Sequence, residues 1–253
     1  MSQNILEIKN LYVNYHTRQG DVKAVSNLNL TLDKGDKFGL VGESGSGKTT
    51  LANAILRMIK PPGYIPEGEI NLDGTDVLSL SEKDLRKFRS TSVAIVPQAA
   101  MNALNPVRRI GQQINDAFVD HGVKLSKSEL NDRLSDLMQT VGLRSNVPRL
   151  FPHELSGGMK QRVSIAMAVS LNPKLIIADE PTSALDVVVQ RQVIDTLDQV
   201  QEKYGSTVLL VGHDMGLMAQ FSNRLGIMYA GELVEVGSSD KIFSKPNHPY
   251  TEI

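Results

Sequence analysis

"KFGLVGESGSGKTT", Lys37 to Thr50, decides how the rest of the chain is read. Its first half is a short apolar run of strand type. A glycine-rich turn follows, and then "TTLANAILRMI", whose apolar residues recur at helical spacing. A strand that runs through glycines into a helix start is a ready phosphate cradle, because the free N–H groups of the first helical turn point outward at the positive end of the helix dipole. "GESGSGKT", Gly42 to Thr49, matches the phosphate-loop pattern in full. Gly42, Gly45 and Gly47, with Ser44 among them, permit the tight backbone that turns successive N–H groups toward phosphate oxygens. Lys48 would reach the outer phosphates and Thr49 would place its hydroxyl on magnesium. Thr50 is either a nucleotide contact or part of the first helical turn.

"LIIADE", Leu175 to Glu180, supplies a second element of the same chemistry. In parallel sheets ligands sit at the carboxyl ends of strands, and this apolar strand delivers two acids there. Asp179 suits a hold on magnesium, and Glu180 suits polarisation of an attacking water. Adjacent acids after a strand are otherwise read as a solvated turn; a complete phosphate loop in the same chain weighs against that. Gln98 ends the strand "SVAIVPQ", where it would contact magnesium and water, and His213 ends "TVLLVG", where it would bond the γ-phosphate. Taken alone, His213 reads as a surface residue. Asp186, in "SALD", follows closely on Glu180. The remaining histidines, His16, His121, His153 and His248, have no partner at metal-ligand spacing.

A second helix start looks equally ready for an anion. "LSGGMKQRV", Leu155 to Val163, places Ser156 as cap before Gly157 and Gly158. One bound nucleotide does not need two such starts from one chain.

Around these motifs the chain alternates. Two strands precede the glycine loop, which predicts an N-terminal antiparallel layer. "GEINLDGTDV" predicts a hairpin turning at Asp73–Gly74, whereas "KPPGYIPEGE" reads as a turn-rich break. From residue 99 to residue 156 the pattern is helical, with no convincing strand. Strand and helix then alternate again, which implies a mainly parallel sheet covered on both faces. The expected organisation is a core of residues 1–98 and 157–253 with a helical insertion at 99–156. "AMNALNPV", Ala100 to Val107, is expected to expose small and apolar residues just after the Gln98 hinge, so that residues near Met101 and Leu104 would cross-link to a membrane partner.

Composition sets outer bounds. Of 253 residues 41% are hydrophobic, enough for a sizeable core, and the net charge of −1 with no basic stripe argues against nucleic acid as a partner. No cysteine is present, so these residues form no disulfide or iron–sulfur site. The apolar runs are too short to span a bilayer.

"GESGSGKT", Gln98, "LSGGMKQ", "LIIADE", "SALD" and His213 occur in an order that resembles the nucleotide-binding subunits of ABC transporters, over nearly the whole chain. The resemblance implies an α/β fold: a P-loop NTPase (RecA-like) core with a mixed, mainly parallel sheet, an N-terminal antiparallel β layer and a helical subdomain. It implies ATP and Mg2+ as ligands and ATP hydrolysis as the reaction. It also accounts for the second anion site: in this family two domains pack head to tail, so Ser156, Gly157 and Gly158 would bind the γ-phosphate held by a partner. Tyr15, the aromatic of the N-terminal strand, would stack on adenine, and Asp186 would communicate across the dimer.

"LNPV", "PHELSGGMKQRV" and "IFSKPNHPYT" resemble the dipeptide, oligopeptide and nickel importers, and Met159 resembles their D-type subunit. That implies an F-type ATP-binding subunit as partner in a heterodimer, two transmembrane permease subunits and an extracytoplasmic substrate-binding protein. The expected location is peripheral, on the cytoplasmic face of the membrane. Such subunits usually continue well past "HPYT", often with a cysteine-containing tail that can hold an iron–sulfur cluster, whereas the sequence given stops at Ile253. Two other readings compete. A soluble ABC ATPase acting on DNA or ribosomes would carry long coiled coils or two such domains. A non-hydrolysing regulator could dispense with Glu180.

Overall fold

The computed structural model describes residues 4–98 and 103–252. By its contacts the chain divides into two compact units, Met1–Arg86 with Thr207–Ile253, and Lys87–Ser206.

The first unit contains two sheets. Strands β1 (Asn4–Thr17), β2 (Gly20–Asp33), β4 (Gly63–Leu72) and β5 (Thr75–Asp76) form an antiparallel sheet in the order β2-β1-β4-β5. The hairpin between β4 and β5 turns at Asp73 and Gly74, with φ of 47° and 81°. Two left-handed residues are what a two-residue turn between right-twisted strands requires. The supposed break before it is strand: β4 begins at Gly63 and runs through Pro66. The proline is tolerated because the β1–β4 register shifts beside it, between pairs Tyr12–Glu67 and Asn14–Tyr64, so no regular ladder bond is lost.

The second sheet of this unit is built on β3 (Lys37–Val41), which lies parallel to both β8 (Thr207–Gly212) and β9 (Arg224–Tyr229); β10 (Glu232–Ser238) is antiparallel on β9. β3 and β8 are almost wholly buried, which is why they read as continuous apolar runs without alternation. Helix α1 (Lys48–Ile55) touches β1 and β2 of one sheet and β8 of the other. It buries Leu51, Ala52, Ala54 and Ile55 between them. A fully buried Leu or Ile contributes about 1.5–3 kcal/mol, so this short helix is held by packing on both sides.

In the second unit β6 (Val93–Val96) pairs in parallel with β7 (Leu175–Asp179). α2 (Glu82–Thr91) leads toward β6, with its helical run broken at Arg89 and Ser90. The stretch from residue 103 to residue 156 is helical: α3 (Ile110–Asp120), α4 (Lys127–Thr140) and two short 3-10 turns, with no strand among its described residues. α5 (Gly157–Val169) and α6 (Val187–Tyr204) then flank β7 in sequence.

Candidate functional site

The glycine loop is pinned at two of its glycines within the first unit. A β-carbon at Gly42 would lie 2.1 Å from the Met228 carbonyl oxygen, and one at Gly47 would lie 2.2 Å from that of Ala24. Gly47 also has φ 101° and caps α1 with no side chain over the N–H groups. No acidic residue sits in the first turn of α1. Lys48 is only 5% exposed, and its ammonium donates to the carbonyls of Gly42 (2.8 Å) and Glu43 (2.7 Å). The loop is therefore wrapped around one cation, at a helix end whose dipole adds to that charge. Ser44, Gly45 and Thr49 are exposed and Thr50 is half-buried.

His213 follows β8 directly. Gly212 pairs with Val41, so the histidine stands at the carboxyl end of the strand beside the loop. With Gly42 and Glu43 it lines an open cavity of about 490 Å³, which Phe243, Tyr250 and Thr251 also line. Tyr15 is half-buried on β1, with its ring over Gly63. The antiparallel sheet meets the loop at Ala24, whose neighbour Lys23 pairs with Asn14, adjacent to Tyr15.

In the second unit the parallel register does the assembly. Val96 lies opposite Ala178, so two residues further on Gln98 lies opposite Glu180. The Gln98 amide donates to the Glu180 carboxylate at 2.8 Å, and the Ser183 hydroxyl donates to the Gln98 carbonyl at 3.3 Å. Glu180 has φ 43°, the left-handed region that costs a non-glycine residue about 1–2 kcal/mol. The turn carries that cost at the residue whose carboxylate Gln98 holds. Asp179, one position earlier, is 4% exposed at the end of β7.

Ser156 caps α5, accepting from the Met159 N–H at 3.3 Å, and it is exposed. Gly157 is half-buried; Gly158 is buried, and a β-carbon there would lie 2.4 Å from Val189 Cγ1. Val189 is in turn tied to Asp186, whose carboxylate caps α6 by accepting from the N–H groups of Val188 (3.1 Å) and Val189 (3.0 Å). The first turns of α5 and α6 are thus locked together, and Asp186 has a capping task that the sequence alone did not suggest.

In the loop after Gln98, Ala103, Pro106 and Val107 are exposed, as expected of small and apolar residues there, while one apolar residue turns in. Leu104 is 5% exposed and faces inward, because Gln113 gathers the loop behind it: its side chain accepts from the Asn105 N–H and donates to the carbonyls of Asn105 and Arg108. The large exposed apolar residue of that loop is Val107, at 80%. Met101 lies outside the described residues. The sequence gives no task to Glu43, Tyr229, Glu235 or Tyr250, although Tyr250 lies in "IFSKPNHPYT".

Comparison with known proteins follows the same motifs. Residues 25–183 match the family model described as ABC transporter. The oligopeptide transport ATP-binding protein OppD of Bacillus subtilis is 43% identical over 250 residues, covering 98% of this chain and 70% of that protein. The dipeptide transport ATP-binding protein DppD of Lactococcus lactis is 41% identical, covering 98% of this chain and 72% of that one. Among solved structures, a dimeric post-hydrolysis ATP-binding cassette bound to ADP and Pi superposes with a TM-score of 0.81 at 28% identity, over 92% of this chain and 98% of that one.

Proposed function

The chain belongs to the ABC transporter family, and from that premise we propose that it is the ATP-hydrolysing subunit of an importer for di- or oligopeptides. The observation that carries hydrolysis, over binding alone, is the Gln98–Glu180 hydrogen bond of 2.8 Å. A protein that only binds nucleotide has no need of a carboxylate held by an amide in a left-handed turn. ATP fits the loop: Lys48 and the uncapped N-terminus of α1 supply positive charge, and the side-chain-free Gly42 and Gly47 let the backbone close. Thr49, Gln98 and Asp179 offer the oxygen donors a hard cation takes. No group of three or more His, Cys, Asp or Glu among the described residues could hold an ion by itself. Such oxygens suit magnesium arriving with nucleotide phosphates as its further ligands, where it would neutralise their charge.

In this reading Lys48 holds the outer phosphates, Glu180 orients and polarises the attacking water, and Gln98 keeps the carboxylate aimed. His213 bonds the γ-phosphate and Tyr15 stacks on the base. Ser156, Gly157 and Gly158 serve the nucleotide of a second subunit, an F-type partner, and Asp186 lies at that junction. Two permease subunits and an extracytoplasmic binding protein complete the importer, with this chain on the cytoplasmic face. No described helix is long and apolar enough to cross a membrane, so attachment would run through the permeases. The names of the relatives favour transport over a soluble ATPase, and peptides as cargo.

Uptake of labelled di- and tripeptides by cells lacking this chain tests the proposal. Uptake should vanish, and should return with the wild-type chain but not with Glu180→Gln. Loss of nickel uptake with peptide uptake intact would reassign the cargo. Normal uptake of both would remove the transport role.

A further inference from the structure

The antiparallel sheet is cross-tied where it carries Tyr15. In the register Tyr15 lies opposite Val22 of β2 and Gly63 of β4. Cross-strand partners share a face of the sheet and sequence neighbours alternate between faces, so Val22, Tyr15 and Gly63 form one row across three strands. A β-carbon at Gly63 would lie 2.7 Å from Tyr15 Cε1, so the ring occupies the space that the missing side chain leaves. Gly63 is buried, whereas Val22, on the other side of Tyr15, is 55% exposed. Along β2 the row stands two residues, ~7 Å of strand, from Ala24, whose carbonyl abuts Gly47 of the phosphate loop. On the opposite face His16 pairs with Asp21, and Asn14 with Tyr64. There the Asp21 carboxylate ties the same three strands. It accepts from the Tyr64 hydroxyl of β4 at 2.5 Å and from His16 Nδ1 of β1 at 3.0 Å. An ionised carboxylate only accepts, so Nδ1 carries a proton in this contact. The His16 N–H in turn donates to the Pro62 carbonyl at 3.0 Å, at the start of β4.

His16, Asp21 and Tyr64 are all exposed, and polar contacts this exposed contribute little to overall stability. Their effect on geometry is larger. β1 runs between β2 and β4, and its ladders are irregular just before Tyr15: the register shifts between Val13 and Asn14 on the β2 side and between Tyr12 and Asn14 on the β4 side. A slip of one residue there would turn Tyr15 to the other face of the sheet. We infer that Asp21 is a positioning residue for the nucleotide base: its carboxylate, bridging His16 and Tyr64, holds β1, β2 and β4 in the register that seats the Tyr15 ring over Gly63. This deepens the ATP-site reading, in which Tyr15 stacks on the base, and rests on it.

The test is calorimetric binding of ATP and of inorganic tripolyphosphate to the full chain, each with magnesium. Tripolyphosphate takes the phosphate loop and has no base. Loss of a base–aromatic stack in Tyr15→Ala should weaken ATP binding by about 5- to 100-fold. Asp21→Ala keeps the ring but unties the strands, so the ATP Kd should rise by part of that, about three- to tenfold, with the tripolyphosphate Kd within about twofold. Gly63→Ala, which drives a β-carbon into the seat of the ring, should show the same selective loss. In the Tyr15→Ala background, Asp21→Ala should add less than about twofold. The triphosphate of 2-aminopurine riboside, whose emission is quenched on stacking, gives a spectroscopic check: its quench at saturation should shrink in Asp21→Ala. A role in folding alone would weaken both ligands and would persist without Tyr15. An unchanged ATP Kd in Asp21→Ala, equal losses for ATP and tripolyphosphate, or the same loss with and without Tyr15 would overturn the inference while leaving the ATP site standing. Wild-type ATP affinity in Tyr15→Ala would remove the stacking role of Tyr15, and the inference with it. A wild-type chain that binds neither ligand would remove the ATP-site reading itself.

Discussion

Two charged side chains are held by opposite means, and in the proposed reading that difference separates binding from chemistry. Lys48 is buried against backbone carbonyls, so its charge belongs to the loop. Glu180 is half-exposed, and the described structure gives its carboxylate the neutral amide of Gln98. Lys48→Ala should weaken ATP binding by about 10- to 100-fold, since a charge-assisted bond to phosphate is worth about 1.5–3 kcal/mol. Glu180→Gln keeps the shape and can still accept from Gln98, so the nucleotide Kd should stay near that of the wild type. Its turnover should fall by about 10²- to 10⁴-fold, the usual contribution of a positioned base. Equilibrium binding and steady-state hydrolysis measured side by side check both. Tight binding by Lys48→Ala, or wild-type turnover by Glu180→Gln, would reverse the assignments.

At the scale of elements, what the sequence could reveal follows the range of the interaction that fixes each piece. The strand-loop-helix at Lys37–Ile55 and the Asp73–Gly74 hairpin were legible because local turn chemistry determines them. Gln98 and Glu180 were each legible as strand-end residues, but their hydrogen bond was not, since it depends on β6 and β7 being neighbours in register. β4 was misread as a break because Pro66 and Gly68 are turn residues by composition, and only pairing with β1 makes them strand. The clamp that Glu235 places on the C-terminal segment, by accepting from the N–H groups of Asn247 and His248, is invisible for a related reason: nothing in "ELVEVG" tells that one acid turns inward. Burial alone pushes that carboxyl up, yet the bonds it accepts from the Asn247 N–H, the His248 N–H and the Asn247 amide outweigh it and hold the pKa at about 2, against 4.5 ordinarily. A folded-state pKa below the unfolded one means the stabilisation is full above about pH 4.5 and is lost as pH falls toward 2. The C-terminal segment should therefore loosen selectively in acid. Amide exchange at Asn247 and His248, corrected for intrinsic rates, should accelerate between pH 5 and about pH 3 ahead of the β3 amides. In Glu235→Gln the exchange should already be fast at pH 6. Equal protection of both regions throughout that range would show that the clamp does not hold the segment.

The whole molecule carries two helix starts suited to an anion, at α1 and α5, and one nucleotide per chain engages only the first in this reading. The second is left facing outward at Ser156, with Val187 and Val188 also 69% and 67% exposed at the start of α6, beside the Asp186 cap. Apolar residues this exposed, next to an open anion site, suit a surface that closes only when a partner brings phosphate to it. Pairing should then depend on ATP, because the nucleotide contributes contacts to both subunits and hydrolysis removes some of them. Gly157→Asp is the sharpest probe. An acid in the first turn of α5 is favourable to the helix itself, since that turn has none and the dipole welcomes it. The variant should therefore fold and bind ATP in its own loop. Against a partner's γ-phosphate the same charge is repulsive, so ATP-dependent dimerisation and turnover should both be lost. Size-exclusion chromatography in the Glu180→Gln background, with and without ATP–magnesium, reads the first. Steady-state hydrolysis of Gly157→Asp alone reads the second. If Gly157→Asp still dimerises on ATP and still turns over, α5 does not serve a partner's nucleotide, and each subunit completes its site from its own residues.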